Sequence, residues 1–178
     1  MIYPLAKIIY PENLAMGEES VVDDFAFLYA AGKGIKIGKF CHITVHCTLF
    51  AGGLIKFGDF SAIGPNGVIL AESDDYLGGG FPGLAIFNQF EGKYRNTVMK
   101  DVILEKHVHI GAGCVILPGV HLAEGCSIGA GSVVTKDMPE WTVCFGNPCK
   151  PRKEKPREMQ LEMEKRFLEE YYSRKEKL

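Results

Sequence analysis

The sequence of 178 residues lacks several features that mark whole classes of protein. It contains no apolar run of about 18 residues, so we expect no membrane span. Its start, from Met1 to Lys7, lacks the basic-then-apolar order of a secretory signal. Its formal net charge is only −2, which argues against a general affinity for nucleic acid. We therefore expect a cytoplasmic protein that binds neither membrane nor nucleic acid.

The six cysteines also lack the spacings that mark metal or redox sites. No CxxC pair and no Cys/His zinc pattern occurs among Cys41, Cys47, Cys114, Cys126, Cys144 and Cys149. Without an export signal, the thiols are expected to be reduced. We accordingly expect no metal.

What the sequence does have is a six-residue repeat. Large apolar residues recur with this period, with one two-residue slip at Leu54 to Lys56. We call them the aliphatic column: Met16, Val22, Leu28, Ile37, Ile43, Leu49, Phe57, Ile63, Ile69, Leu104, Ile110, Ile116, Leu122, Ile128 and Val134. Neither an amphipathic helix nor a simple alternating strand has this spacing.

Two further columns run in phase with the first. Four residues after each aliphatic position stands a small residue, and this small column includes Ser20, Ala26, Cys41, Cys47, Ser61, Gly67, Val108, Cys114, Val120, Cys126 and Ser132. One residue after the aliphatic position is often glycine, at Gly17, Gly38, Gly58, Gly64, Gly111 and Gly129, where tight corners need backbone freedom and close approach. The columns predict an all-β solenoid of three short strands and eighteen residues per coil, with cysteines packed as small apolar residues.

Three segments carry a resemblance to a known family. Ile110 to His121, Ile128 to Asp137 and Gly146 to Lys150 resemble the end of the hexapeptide-repeat acyltransferases, more narrowly the galactoside and maltose acetyltransferases and the sugar acetyltransferases of polysaccharide biosynthesis. The resemblance covers roughly residues 14 to 153. It implies a left-handed parallel β-helix, a homotrimer, and acetyl-CoA-dependent transfer to a hydroxyl or amine of a sugar, free or nucleotide-linked.

The same resemblance implies where coenzyme A binds. It places the cofactor contacts at Ala112, Ala130, Thr135, Lys136, Lys150 and Lys153. Ala112 would offer a backbone amide near the thioester carbonyl, and the lysines would face phosphates. Where the family often has arginine at the last two positions, lysine keeps the charge and loses the bidentate geometry. The basic run Lys150, Arg152, Lys153, Lys155 and Arg157 independently suits the phosphates of coenzyme A.

The general base is assigned to His107, oriented by Asp74 or Asp75 of the same or a neighbouring subunit, because imidazole has a suitable intrinsic pKa. Three alternatives remain open. His107 could be an ordinary corner residue, Asp74 could itself be the base, or the enzyme could rely on positioning a substrate amine. Asn66, Tyr76 and His46 are assigned to the acceptor, with His46 a weaker candidate for the base.

Two segments interrupt the repeat and define the domain organisation. Residues from about 72 to 100 form an aromatic-rich insertion, expected to be ordered against a neighbouring subunit. The β-helix domain is assigned to residues 1–150, and a basic segment with a C-terminal helix to 151–178. Pro156 can serve as the first helical residue. Met159, Met163 and Phe167 could dock this helix, or the helix could be solvated.

Two other functions use the same fold. A γ-class carbonic anhydrase-like protein would need three stacked histidines, and the spacing of His42, His46, His107 and His109 does not fit. A trimeric scaffold without catalysis would leave the C-terminal cofactor pattern unexplained.

Overall fold

The structure is a computed structural model that describes residues 1–74 and 96–177. These residues form short strands, one 3-10 turn (Pro11–Asn13) and one helix, α1 (Glu158–Lys175). In chain order the strands are β1 (Lys7–Ile9), β2 (Leu14–Met16), β3 (Val21–Val22), β4 (Phe27–Ala30), β5 (Ile35–Ile37), β6 (His42–Ile43), β7 (Thr48–Ala51), β8 (Ile55–Phe57), β9 (Ala62–Ile63), β10 (Val68–Leu70), β11 (Glu72–Asp74), β12 (Thr97–Met99), β13 (Val102–Leu104), β14 (His109–Ile110), β15 (Val115–Ile116), β16 (His121–Leu122), β17 (Ser127–Ile128), β18 (Val133–Val134), β19 (Thr142–Gly146) and β20 (Cys149–Glu154).

The strands form the three faces of a parallel prism, which confirms the predicted left-handed β-helix. Face 1 has the order β1-β4-β7-β10-β15-β18, face 2 the order β16-β13-β8-β5-β2, and face 3 the order β20-β19-β17-β14-β9-β6-β3. The chain visits the faces in turn, so each coil has three corners. We call the corner from face 1 to face 2 the first corner, from face 2 to face 3 the second, and from face 3 to face 1 the third.

The length of a coil changes along the chain. Val115 pairs with Val133, 18 positions further on, as the repeat predicts. Phe27 instead pairs with Thr48, 21 positions further on, so the prediction of eighteen residues is wrong for the earlier coils. The added residues lie at the first corner, which is also where the insertion leaves the prism. Its two ends, β11 and β12, pair antiparallel, and residues 75–95 lie outside the described part.

The aliphatic and small columns point inward and form one continuous core. All members of the aliphatic column are buried except Met16, which is half-buried. The small column is also buried, and its serines, with Cys41, Cys47 and Cys114, donate hydrogen bonds to backbone carbonyls. Ser61 Oγ donates to Glu105 O at 2.8 Å, and Cys114 Sγ to Gly129 O at 3.1 Å. All six cysteines are free and buried, as expected of reduced thiols.

The glycine column serves close approach rather than an unusual backbone conformation. A Cβ on Gly17 would lie 2.6 Å from the Gly38 carbonyl carbon, and one on Gly111 would lie 2.6 Å from the Ala130 nitrogen. The left-handed conformation falls two positions later in each corner. There it is adopted by Glu19, Phe25, Phe40, His46, Phe60, Asn66, His107, Gly113, Gly119, Gly125 and Gly131. We call these the left-handed column.

The C-terminal segment begins as part of the prism. Strand β20 pairs antiparallel with β19, so the expected boundary after residue 150 falls within a strand. Helix α1 then begins at Glu158, two residues after Pro156, so Pro156 is not its first residue. The helix packs along the second corner, where Phe167 and Tyr171 contact Phe40 edge-on. In the part of the chain described, no helix has the length and apolar character needed to cross a membrane.

Candidate active site

The third corner changes character from coil to coil. Its left-handed column reads Phe25, His46 and Asn66 in the earlier coils and then Gly113 and Gly131. The His46 ring is exposed and stacks on Phe25 with 5.3 Å between ring centroids. A Cβ on Gly113 or Gly131 would meet nothing within 4 Å, so the later coils expose bare backbone to open space. Side chains therefore cover the third corner in the earlier coils, whereas its backbone is exposed in the later coils.

The bare end of this corner offers unpaired backbone donors. Ala112 and Ala130 are exposed at equivalent positions of consecutive coils, where Gly131 N donates to Ala112 O at 2.9 Å. Among the described residues, neither the Ala112 N–H nor the Ala130 N–H has an acceptor. Pro65 occupies the equivalent position one coil before Ala112 and has no N–H to offer. The two alanines therefore present a short row of amides to a ligand.

Cationic side chains stand on both sides of that row. Thr135 and Lys136 are exposed directly after β18 on face 1, and Lys150 and Lys153 are exposed on β20 of face 3. None of the three lysines has an ion-pair partner within residues 1–74 and 96–177. The structure thus brings the predicted cofactor residues to one end of the prism, together with the predicted acceptor residues Asn66 and His46 further along the same corner.

Arg152 and Lys155 of the basic run make contacts within the chain. The Arg152 guanidinium packs over the Phe145 ring at 5.0 Å. Lys155 turns inward and donates to Gly125 O and Ser127 Oγ, both at 3.2 Å. Burial lowers the pKa of the Lys155 ammonium. Only part of the predicted cationic cluster is therefore free to contact phosphates.

His107 lies at the second corner and not at the third. Its side chain is only 3% exposed, and its Nε2–H donates to Glu164 Oε2 at 2.7 Å. Asp74 belongs to β11 at the first corner, while Asp75 and Tyr76 lie outside the described residues. Among the described residues of one chain, the carboxylate that contacts the His107 imidazole is Glu164, and orientation of His107 by Asp74 or Asp75 stays a prediction. A proton-transfer role for His107 stays a prediction, and its burial argues against that role.

Glu164 is a contact that the sequence analysis missed. It also pairs with Lys106, and it reaches the second corner from α1 across 57 positions. Burial, the largest influence, raises the pKa of Glu164, but the hydrogen bonds and charges of Lys106 and His107 outweigh it and lower the pKa. The carboxyl group is therefore an ionised acceptor. Glu164 belongs to none of the repeat columns and to no helix-capping pattern, so the sequence contains no signal that identifies it.

A cavity also lies at the second corner. It has a volume of about 420 Å³ between α1 and the stacked rings of Phe40 and Phe60. Met163, Phe167 and Glu164 complete most of its wall. Because the bare amides lie at another corner, this cavity is a product of helix docking and separate from the candidate site.

The other histidines are surface residues. His42 pairs with Asp23 at 2.9 Å and His121 with Glu105 at 2.8 Å, and His109 is exposed on face 3. No group of three or more His, Cys, Asp or Glu side chains in the described ranges is arranged to hold a metal ion.

Comparison with known proteins agrees with this architecture. The bacterial transferase hexapeptide family (six repeats) matches residues 101–136. The dTDP-4-amino-4,6-dideoxy-D-glucose acyltransferase of Escherichia coli is 33% identical over 156 residues, which are 88% of this chain and 79% of that enzyme. Galactoside O-acetyltransferase of Lactococcus lactis is 32% identical over 134 residues, covering 75% of this chain and 59% of the relative.

Solved structures of acyltransferases are also similar to this chain. The N-acyltransferase AntD from Bacillus cereus, in complex with dTDP and 3-hydroxybutyryl-CoA, is 34% identical with a TM-score of 0.86, covering 96% of this chain and 87% of AntD. A hexapeptide-repeat acetyltransferase from Vibrio cholerae, complexed with acetyl-CoA, is 26% identical with a TM-score of 0.66, covering 82% and 74% of the two chains. The repeat, the prism and these relatives agree, and this chain belongs to the hexapeptide-repeat acyltransferase family.

Proposed function

We propose that the protein transfers an acyl group from coenzyme A to the amino group of a nucleotide-linked amino sugar. The observation that carries this proposal is the bare third corner, where the amides of Ala112 and Ala130, without an acceptor among the described residues, lie between exposed lysines that have no ion-pair partner there. An amine acceptor is supported by the E. coli relative, which is named for a dTDP-linked amino sugar, and by AntD, an N-acyltransferase.

Coenzyme A would lie along the third corner. The amide-containing pantetheine arm would run past Ala112 and Ala130, whose glycine neighbours leave room for close approach. Lys136, Lys150 and Lys153 would contact the phosphates as mobile point charges, since lysine lacks the planar fork of arginine. Thr135 would add a hydroxyl beside Lys136. Acetyl is the acyl group that we propose first, and 3-hydroxybutyryl is the second candidate because AntD was crystallised with that thioester.

The site requires a second copy of the chain, and we propose a homotrimer. The outward side of face 1 is mostly apolar and only half-buried, which is unusual for a solvated surface. Its apolar residues include Phe27, Phe50, Val68, Leu70, Val115, Leu117 and Val133, beside the polar Lys7 and Thr48. Face 1 separates the first corner, with Asp74, from the third corner, with Ala112. Packing of face 1 against a neighbour would therefore bring the first corner of one copy toward the third corner of the next.

The reaction would join the acceptor nitrogen to the thioester carbonyl carbon and break the carbon–sulfur bond. The Ala112 N–H would donate to the oxygen that becomes negative in the tetrahedral intermediate. The acceptor ammonium first loses one proton to solvent, which frees the lone pair that attacks. The attacking nitrogen then loses a second proton, which the departing thiolate of coenzyme A takes up, so the products are a neutral amide and a thiol. We assign Asp74 of a neighbouring copy to hold the amine, with Asp75 beside it, and acceptor contacts to Asn66, His46 and Tyr76. Rate acceleration would come mainly from the positioning of the acceptor amine against the thioester.

A thiol-release assay tests the proposal. Acetyl-CoA and 3-hydroxybutyryl-CoA would each be offered with a dTDP-linked amino sugar, the corresponding hydroxyl sugar and a simple galactoside. We expect rapid release with the amino sugar only. Equal or faster release with the galactoside would instead favour O-acetyl transfer, the activity named for the Lactococcus relative. No release with any acceptor would refute the proposal.

The variant Ala112→Pro examines the amide directly. It removes one N–H at a position where the preceding coil already holds Pro65, so the corner accepts the ring. Loss of one oxyanion donor lowers kcat by about 100- to 1,000-fold. Ala112→Ser, which keeps the N–H, is the matched control and should retain activity. Equal activity of the two variants would exclude the Ala112 amide from the reaction.

A further inference from the structure

The antiparallel pair β19–β20 spans face 3 from the second corner to the third. At the second corner, Trp141 precedes β19, Lys155 follows β20, and the Lys155 N–H donates to Trp141 O at 2.7 Å. At the third corner, the turn from Gly146 to Cys149 is tied to the last coil by Gly146 N donating to Ser132 Oγ at 3.1 Å. With about 3.3 Å per residue, five residues of β19 cover roughly 16 Å. This hairpin carries Lys150 and Lys153.

The second-corner end of the hairpin is held by Trp141. The Trp141 ring is buried against Gly125, where a Cβ would come within 2.4 Å of it. The Lys155 ammonium lies 5.6 Å from the ring centroid. On its other side, Trp141 meets the His107 imidazole at 5.9 Å. The position of the hairpin base thus depends on His107.

His107 in turn is held by residues distant in sequence. Its ring stacks on Phe60 at 5.4 Å, and its Nε2–H donates to Glu164 of α1. Glu164 is only 10% exposed, so its charge requires the partners that Lys106 and His107 supply. The Phe167 ring, one turn further along α1, contacts Phe60 edge-on at 6.0 Å. His107 thus touches the hairpin base, the ring stack and the helix together.

We propose that His107 and Glu164 are positioning residues that fix the basic hairpin for coenzyme A binding. The proposal rests on the proposed function, because it assigns Lys150 and Lys153 to the cofactor. Loss of either partner leaves a cavity beside Trp141 or an unpaired buried group, and the hairpin base can then shift. Lys150 at its other end and Lys153 nearer its base lose their alignment with the phosphates, so affinity for coenzyme A falls. Binding that is equal in the ground and transition states changes KM and leaves kcat nearly unaltered.

The experiment measures the Kd for coenzyme A by calorimetry and the KM and kcat for acyl-CoA. His107→Ala and Glu164→Ala should each raise Kd and KM about five- to tenfold, the low end of typical coupling between sites. Glu170→Ala is the matched control, since Glu170 is a 65% exposed carboxylate that pairs with Arg174 on the same helix. It should change neither constant.

His107→Gln separates positioning from proton transfer. A glutamine amide can still donate to Glu164 but cannot take up a proton at neutral pH. We expect His107→Gln to keep most of the wild-type affinity for coenzyme A. Its kcat should stay far above the value expected if the general base had been removed. A collapse of kcat with normal Kd would show that His107 is the base and overturn the proposal. Normal Kd in Glu164→Ala, with the fold confirmed by thermal unfolding, would overturn it as well.

The two proposals fail in different ways. If the wild-type protein binds coenzyme A but acylates no amino sugar, the proposed acceptor is wrong and the Kd series still tests the positioning pair. If the wild-type protein does not bind coenzyme A, both proposals are refuted.

Discussion

Replacement of two glycines at the same corner should have different costs, because they serve different purposes. In Gly111→Ala, the new Cβ would lie 2.6 Å from Ala130 N and 2.9 Å from Ile128 O. That is about 1 Å short of an ordinary contact of about 3.5 Å. In Gly113→Ala, the Cβ would meet nothing within 4 Å. Stability is then lost only because alanine must adopt the left-handed φ of +66°.

The expected losses of folding stability follow from steric overlap and from the neighbouring hydrogen bonds. To admit the Gly111→Ala methyl group, the coils must separate where Gly111 N donates to Ile128 O at 2.8 Å and Gly131 N to Ala112 O at 2.9 Å. Overpacking costs about 1–3 kcal/mol, and each weakened hydrogen bond adds up to about 1 kcal/mol. We therefore expect a loss of about 3 kcal/mol for Gly111→Ala. A left-handed alanine costs about 1–2 kcal/mol, and asparagine, which this conformation tolerates better, costs less.

The assay is urea unfolding of the three variants at one fixed protein concentration, because subunit association would otherwise change the apparent stability. The expected order of stability is wild type, Gly113→Asn, Gly113→Ala, then Gly111→Ala. A Gly111→Ala protein as stable as Gly113→Ala would refute the claim that close approach of coils, and not backbone freedom, requires the glycine column.

Two further properties follow from the same structure. Burial raises the pKa of the thiols of Cys41, Cys47 and Cys114, so native protein should not react with an aromatic disulfide reagent at pH 8, whereas urea-unfolded protein should expose six thiols; fast labelling of native protein would contradict the buried column. The Glu18 carboxyl accepts from Tyr172 and Lys175 of α1 and from Lys39, which lowers its pKa from 4.5 to about 2. Because this pKa and that of Glu164 are depressed, helix docking is fully stabilised above pH 4.5 and weakens as pH falls toward 2. The fluorescence of Trp141, the single tryptophan, should change in that window, and a transition between pH 5 and 8 instead would contradict the assignment of these carboxylates.

The core could be predicted from the sequence because each core position repeats. Equivalent inward positions of successive coils have the same buried environment. Ile110 and Ile128 are such a pair, and each one supports the prediction made for the other. The assignment of Ala112 and Ala130 to coenzyme A depends on the resemblance to the family, and it stays a prediction. The left-handed column was missed because bulky residues such as Phe40 and Phe60 occupy it where glycine would be expected.

The second corner could not be predicted for a different reason. The contact between His107 and Glu164 joins the repeat to a helix outside it, and no periodicity connects the two. The docking face of α1 was only partly foreseen. Phe167 contacts the ring stack and Met163 lines the adjoining cavity, whereas Met159 is 72% exposed. Tyr171, which lies outside the predicted docking face, contacts Phe40 and donates to Glu19 at 2.8 Å.

A crystal structure of the protein with bound coenzyme A would test the central claim most directly. The predicted complex has the pantetheine arm along the third corner, within hydrogen-bond distance of the Ala112 and Ala130 amides, and phosphates beside Lys150 and Lys153. Coenzyme A bound instead in the cavity between α1 and the second corner, with the third corner empty, would contradict the assignment of the active site.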